Sequence, residues 1–224
     1  MRASATVVLD MKTSSTAGPK PVVLVVDDDI SVRESLELLI ADAGWRPALF
    51  ASAREFLASP RPAGASCLIL DVNLPDLNGL ELQKHIAVDY CATPIIFITG
   101  HGDIPMTVKA MKAGAIEFLT KPYTTDVLLS AVYNALERSR AFLEELAGLE
   151  ALRERHRSLT HREQEVMAMV VRGQLNKQTA GELRISEITV KAHRGRVMRK
   201  MNAKSLAELV KMAGRLGLKT GSTD

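Results

Sequence analysis

Residues 67–79 read CLILDVNLPDLNG: four apolar residues carry Asp71 to the end of a buried strand, and turn-forming residues follow at once. Leu74-Pro75-Asp76 and Asn78-Gly79 break the pattern, so the carboxylate of Asp71 is delivered to a loop. In an open parallel sheet, ligands collect at the carboxyl ends of the strands, which makes an acid in that place a candidate for chemistry. Taken alone, the same residue also reads as a strand-end aspartate that caps a turn. The flanking sequence has to decide between the two.

Outward from Asp71, short β-branched runs alternate with longer amphipathic ones. Strands are predicted at 22–26, 45–50, 67–71, 94–99 and 116–119. Helices are predicted at 31–43, 53–58, 80–88 and 105–112, with another from Thr125 onward. Five such repeats define an α/β fold, a doubly wound five-stranded parallel sheet covered on both faces.

The strand ends carry a distinctive set of side chains. The first strand runs into Asp27-Asp28-Asp29, the fourth ends in Thr99, and Lys121 follows the fifth. Adjacent carboxylates repel one another unless a cation sits among them, and hard oxygen ligands of this kind suit Mg²⁺ or Ca²⁺. Helix capping explains Asp29 but not all three acids. Read together, the residues form a phosphoryl-transfer site. Asp71 is its nucleophile, Asp27 and Asp28 hold Mg²⁺, and the Thr99 hydroxyl and Lys121 ammonium bind phosphoryl oxygens. A Mg²⁺-dependent phosphatase of the haloacid-dehalogenase type is the competing reading, with Asp27 as nucleophile. It needs an acidic pair after the lysine, where the sequence has only Asp126 nearby, and it leaves Asp71 without a role.

Over residues 21–137 the chain resembles the receiver domains of two-component response regulators. The likeness rests on VVDDD, LILDVNLPDLNG, IIFITGHGDIPMTVKAMKAGA and EFLTKPY, in that order. It implies a flavodoxin-like sheet and an Asn73 backbone carbonyl that completes the Mg²⁺ shell. It also implies that Phe118 turns inward when Thr99 moves onto the phosphate. Such a domain is not a turnover enzyme; it takes up a phosphoryl group from a sensor histidine kinase and releases it itself. Asn73 and His101 flank the path of the water that would release it.

Charge divides the chain unequally. From Ser158 onward there are 13 Lys and Arg against 6 Asp and Glu, or +7, which leaves −4 on the first 157 residues of a chain whose total is +3. An acidic module joined to a basic one points to a polyanionic partner for the second. Residues 1–20, rich in Ser, Thr, Ala, Gly and Pro, read as a disordered leader. Cys67 and Cys91 lack zinc or disulfide spacing and read as buried small hydrophobes. No apolar run is long enough to span a bilayer and no signal peptide is evident, so a cytoplasmic protein is expected.

Residues 138–157 read as a charged helical connector: Leu136 and Leu143 are a heptad apart, but Leu146, Leu149 and Leu152 follow at threes, which does not support a sustained coiled coil. Residues 158–224 read as an all-α module. Thr160 and Glu163 form a capping box, helices follow at 177–183 and 187–201, and Ser186 caps the second of these across a tight turn. A tight turn before a strongly basic helix is the pattern of a helix-turn-helix. At 100° per residue, Val190, Val197 and Met201 face inward with His193 half-buried at the margin. Ile188, Lys191, Ala192, Gly195 and Arg199 face outward. Lys191 suits guanine and Ala192 a thymine methyl, whereas Lys177, Thr189, Arg194, Arg196 and Lys200 suit phosphates.

The stretch LTHREQEVMAMVVRGQLNKQTAGELRISEITVKAHRGRVMRKM resembles the LuxR-type DNA-binding domain, which makes the whole chain similar to FixJ/NarL-type transcriptional regulators. The resemblance implies a fourth helix near 205–215 that dimerises on DNA, homodimer formation on phosphorylation, promoter DNA as partner and RNA polymerase as a further one. Thr179 departs from the aliphatic residue usual in that family, and Gly195 leaves a base-facing position bare. A receiver acting only through protein contacts is the remaining alternative.

Overall fold

The computed structural model describes residues 20–100 and 102–220. The leader read at 1–20 therefore lies, apart from Lys20, outside the described residues, as does His101. The chain divides into two compact units, residues 1–140 and 141–224.

In the first unit, β1 (Val22–Val26), β2 (Arg46–Phe50), β3 (Ser66–Asp71), β4 (Ile95–Thr99) and β5 (Glu117–Thr120) pair in parallel in the order β2-β1-β3-β4-β5. Helices α1 (Ile30–Asp42), α2 (Ala53–Ala58), α3 (Gly79–Ile86) and α4 (Ile104–Lys112) connect successive strands, and α5 (Thr125–Arg157) follows β5. Because alternate residues of a strand point to opposite faces, each central strand feeds two cores. Val22, Leu24, Val26, Leu68, Leu70 and Phe97 pack with Phe56, Leu82, Ile86 and Ala110 of α2, α3 and α4. On the other face, Val23, Val25, Ile69, Ile96 and Ile98 pack with Leu36 and Ile40 of α1 and with Leu128, Val132 and Leu136 of α5. Burial on both faces is why these strands read as unbroken apolar runs rather than as alternating ones.

Local signals set most boundaries. Asp29 caps α1 by accepting from the Ser31 N–H at 2.8 Å, and Asp103 caps α4 by accepting from Met106 N–H at 2.7 Å. At the amino-terminal end of the sheet, the buried Ser139 hydroxyl of α5 accepts from Ser66 N–H at 3.0 Å and donates to Ala92 carbonyl. One expectation is corrected here. Cys67 is buried, and burial pushes its thiol well above the usual range, but Cys91 is exposed. The β4 strand begins only at Ile95, so Cys91 falls in the preceding turn, outside the sheet.

The second unit is helical: α6 (His161–Val171), α7 (Asn176–Leu183), α8 (Glu187–Met201) and α9 (Leu206–Arg215). Val166, Met167 and Val170 of α6, Ala180 of α7, Val190, Val197 and Met201 of α8, and Leu209 and Ala213 of α9 share one core. The predicted capping box is present: Thr160 N–H donates to Glu163 Oε2 at 2.9 Å, and Glu163 N–H donates to Thr160 Oγ1 at 3.3 Å. Arg184 enters the left-handed region at φ 54°, which ends α7 and turns the chain toward α8. Among the described residues, no helix is long and apolar enough to cross a membrane.

Candidate phosphoryl-acceptor pocket and helix-turn-helix surface

The strand order reverses direction between β1 and β3, and ligands in such sheets bind at that reversal, beyond the carboxyl ends of the strands. Asp27 directly follows β1 and Asp71 ends β3, so the topology places both carboxylates at the reversal. Both are buried, Asp27 at 2 % and Asp71 at 7 % exposure, whereas Asp28 beside them is exposed. Ligand atoms of Asp27, Asp28 and Asp71 all lie within 4.8 Å of one another.

Lys121 links the two buried acids. Its ammonium donates to Asp27 Oδ2 at 2.8 Å and to Asp71 Oδ2 at 3.1 Å. The other oxygens accept from the backbone: Asp27 Oδ1 from Asp29 N–H at 2.9 Å, and Asp71 Oδ1 from Asn73 N–H at 3.0 Å. Burial raises the Asp27 carboxyl above its ordinary value, although the hydrogen bond from Lys121 opposes it. For Lys121, burial works against the ammonium, but the hydrogen bonds and charges of Asp27 and Asp71 more than offset it and hold the proton more tightly than usual.

Thr99 is fully buried at the end of β4, and its carbonyl accepts from Lys121 N–H at 2.8 Å. The structure thus brings Asp27, Asp28, Asp71, Thr99 and Lys121 to one end of the sheet, with Asn73 exposed in the loop after Asp71. Phe118 is half-buried on β5, its ring 6.0 Å from that of Phe97. Among the described residues, Asp27, Asp28 and Asp71 offer a donor set that fits Mg²⁺, since all three present hard oxygens.

Three supports of this pocket were not apparent in the sequence. Arg33, one turn into α1, donates from Nη1 to the Asp27 carbonyl at 2.6 Å and so braces the loop after β1. Asp76 accepts from the Ala53 and Arg54 N–H groups at 3.2 and 2.9 Å, capping α2 from the loop after β3. That bonding, the one from Arg54 above all, holds its carboxyl below the usual range. Gly79 brings the start of α3 so close that a Cβ there would stand 2.4 Å from the Asp71 carbonyl oxygen. The one clue that could have found Arg33 is its place on the first turns of α1, from which it reaches back to the end of β1. Nothing local signals the partner of Asp76, which is more than 20 residues away.

In the second unit, Lys191, Ala192, Gly195, Arg196 and Arg199 of α8 and Lys177 of α7 are exposed. The remaining polar candidates have internal partners. Arg194 donates to Asn176 Oδ1 at 3.2 Å, and the Thr189 hydroxyl lies 2.8 Å from Ser186 Oγ. Lys200 donates to Glu163 Oε2 at 2.7 Å and to the Ser158 carbonyl at 3.0 Å. The Lys200 ammonium, together with Thr160 N–H, holds the Glu163 carboxyl down to about 2. His193 is half-buried, as expected, with its Nδ1 enclosed and unpartnered.

An acidic pocket at the reversal of a five-stranded parallel sheet, followed by a basic helix-turn-helix, defines a transcriptional response regulator. Residues 23–133 match the response regulator receiver domain, and residues 157–213 match the bacterial regulatory proteins of the luxR family. The chain belongs to this family of receiver-plus-LuxR regulators. It is 50 % identical to nodulation protein W of Bradyrhizobium diazoefficiens over 208 residues, covering 93 % of this chain and 92 % of the relative. It is 38 % identical to the transcriptional regulatory protein FixJ of the same organism over 196 residues, covering 88 % and 96 %. The solved structure of the response regulator StyR is similar with a TM-score of 0.79 at 47 % identity, covering 88 % of this chain and all of that one.

Proposed function

We propose that this regulator is switched by phosphorylation of Asp71 and reports that event by binding promoter DNA as a dimer. The observation that supports it most is the Asp27–Lys121–Asp71 bridge at the sheet reversal. It sets both carboxylates against one cation that can follow the charge. The Asp71 carboxylate attacks the phosphorus of a phosphohistidine on a sensor kinase; the P–O bond forms, the P–N bond breaks, and the electron pair leaves with the imidazole. Asp27, Asp28, Asp71 and the Asn73 carbonyl would hold Mg²⁺, which supplies neutralisation of the phosphoryl oxygens. Lys121 then transfers its hydrogen bond from the Asp71 carboxylate to a phosphoryl oxygen, and the Thr99 hydroxyl donates to another. The movement of Thr99 frees space for Phe118 to turn inward. Water later releases phosphate from Asp71 without any outside substrate.

With residues 138–157 as the helical connector, α8 carries the output. Its exposed stripe of Lys191, Ala192, Gly195 and Arg199 enters the major groove, and Lys177 and Arg196 meet phosphates. Arg194 and Lys200 are assigned to holding the helices together and Thr189 to closing the cap of α8, because each already has an internal partner. The α9 helix supplies contacts between two copies on adjacent half-sites, and RNA polymerase reads the resulting complex. A protein that acts on promoters in this way would work in the cytoplasm. Selection from random duplexes with the full chain, with and without acetyl phosphate and Mg²⁺, tests this reading. Tighter, salt-sensitive retention of a paired sequence after phosphorylation supports it, and no selected duplex in either state overturns it.

A further inference from the structure

The groove-facing stripe of α8 contains one large apolar side chain that neither the core nor the basic contacts explain. Ile188 is 79 % exposed, in the first turn of the helix, just after the Ser186 cap. At 100° per residue it lies about 140–180° from Val190, Val197 and Met201, the seam that packs against the other helices, so no rotation of the helix buries it. It shares its face with Lys191, Ala192, Gly195 and Arg199, and all four are exposed. Ala192 has a single methyl and Gly195 has no side chain, with nothing within 4 Å of the place a Cβ would occupy. Ile188 therefore stands above a low surface, between cations, where the first turn of a recognition helix meets base edges. The helix carries five Lys and Arg against one acid, Glu187. That charge selects a polyanion as the occupant of this face.

We infer that Ile188 is a specificity-determining residue that reads a thymine. The thymine C5 methyl is the one apolar group that the major-groove edges of the bases offer, and a branched aliphatic side chain is its complement. The isoleucine thereby excludes water from one base step, while Lys191 on the next turn reads a polar edge. This rests on the DNA-binding reading above and adds to it a base and a position.

The test uses the full chain, phosphorylated with acetyl phosphate in Mg²⁺, and the duplexes it selects. Each selected thymine is replaced by uracil, which removes only the methyl group. For the wild type, one such replacement in a single half-site weakens binding about four-fold, the worth of one buried methyl. Ile188→Ala binds the thymine and uracil duplexes at that position equally, Ile188→Val keeps the difference, and Ala192→Gly also keeps it there. An unchanged thermal transition for Ile188→Ala shows that the fold is intact. The inference is overturned if Ile188→Ala retains the full uracil penalty at every thymine, or if the wild type shows none; an apolar protein partner would give the latter result. Failure to select any duplex overturns the DNA-binding reading and this inference together.

Discussion

The receiver assembles its pocket from segments far apart in sequence, whereas the helix-turn-helix displays its groove face from one helix. Asp27 and Lys121 are in direct contact across 94 residues, and Asp71 and Lys121 across 50. In α8, by contrast, Ile188, Lys191, Ala192 and Arg199 are neighbours by helical period alone. The difference shows where each unit is vulnerable. A pocket made of strand ends depends on backbone approach between elements, so its weakest points are residues without reactive groups. A surface made of one helix tolerates change on its exposed stripe but depends on what fixes the helix from behind.

The sharpest way to break that contrast is at Gly79. A methyl there would stand 2.4 Å from the Asp71 carbonyl oxygen, and the clash is with backbone, which cannot swing away. Gly79→Ala is expected to destabilise the first unit by about 3 kcal/mol and to lower phosphoryl uptake. Gly195→Ala, where nothing lies within 4 Å, should leave the stability of the second unit unchanged or slightly improved. Chemical denaturation of both variants, followed by far-UV circular dichroism, measures the difference. Equal effects at the two glycines would erase the distinction.

The fixture behind the recognition helix comes next in size. Glu163 joins the cap of α6 to Lys200 of α8, so Glu163→Ala removes a capping acceptor and a charge-assisted bond. The expected loss is about 2 kcal/mol in the second unit. Its pH dependence has a defined sign. The folded carboxyl at about 2 lies below the ordinary 4.5, so the stabilisation is complete above pH 4.5 and is lost as pH falls toward 2. Unfolding of the second unit should therefore show an acid-dependent loss that Glu163→Gln flattens, and an identical pH profile in the variant would remove the pair from that role.

The smallest expected effect runs the other way. Thr179 is fully buried in α7 with its hydroxyl unpartnered, in a position where the LuxR-type resemblance implies an aliphatic residue. Replacing it with valine removes a buried polar atom while keeping the branched shape, and should stabilise the second unit by about 1 kcal/mol. A lower thermal midpoint for Thr179→Val would mean that the hydroxyl has a partner in solution.

Much of this was legible in the chain because the pattern and the chemistry agreed. Uninterrupted apolar runs ending in Asp27, Asp71 and Thr99 announced strands buried on both faces, and the cap residues Thr160 and Ser186 marked the starts of α6 and α8. Cys91 reads as buried because cysteine usually behaves as a small hydrophobe, but its place in the turn before β4 leaves it exposed. Asp76 and Lys200 were beyond reach for a different reason. Each is a polar residue whose partner is fixed only by tertiary packing, so local spacing carries no trace of it. Lys200 reads as a phosphate contact because charge is visible in a sequence, while the carboxylate that engages it is not.

Locating the phosphoryl group tests the central claim most directly. The full chain is treated with acetyl phosphate and Mg²⁺, reduced with borohydride, which converts an aspartyl phosphate to homoserine, and mapped by peptide mass spectrometry. The account predicts homoserine at position 71, and none anywhere in Asp71→Asn. Homoserine at position 27, or undiminished labelling of Asp71→Asn, would contradict it and return the pocket to the phosphatase reading.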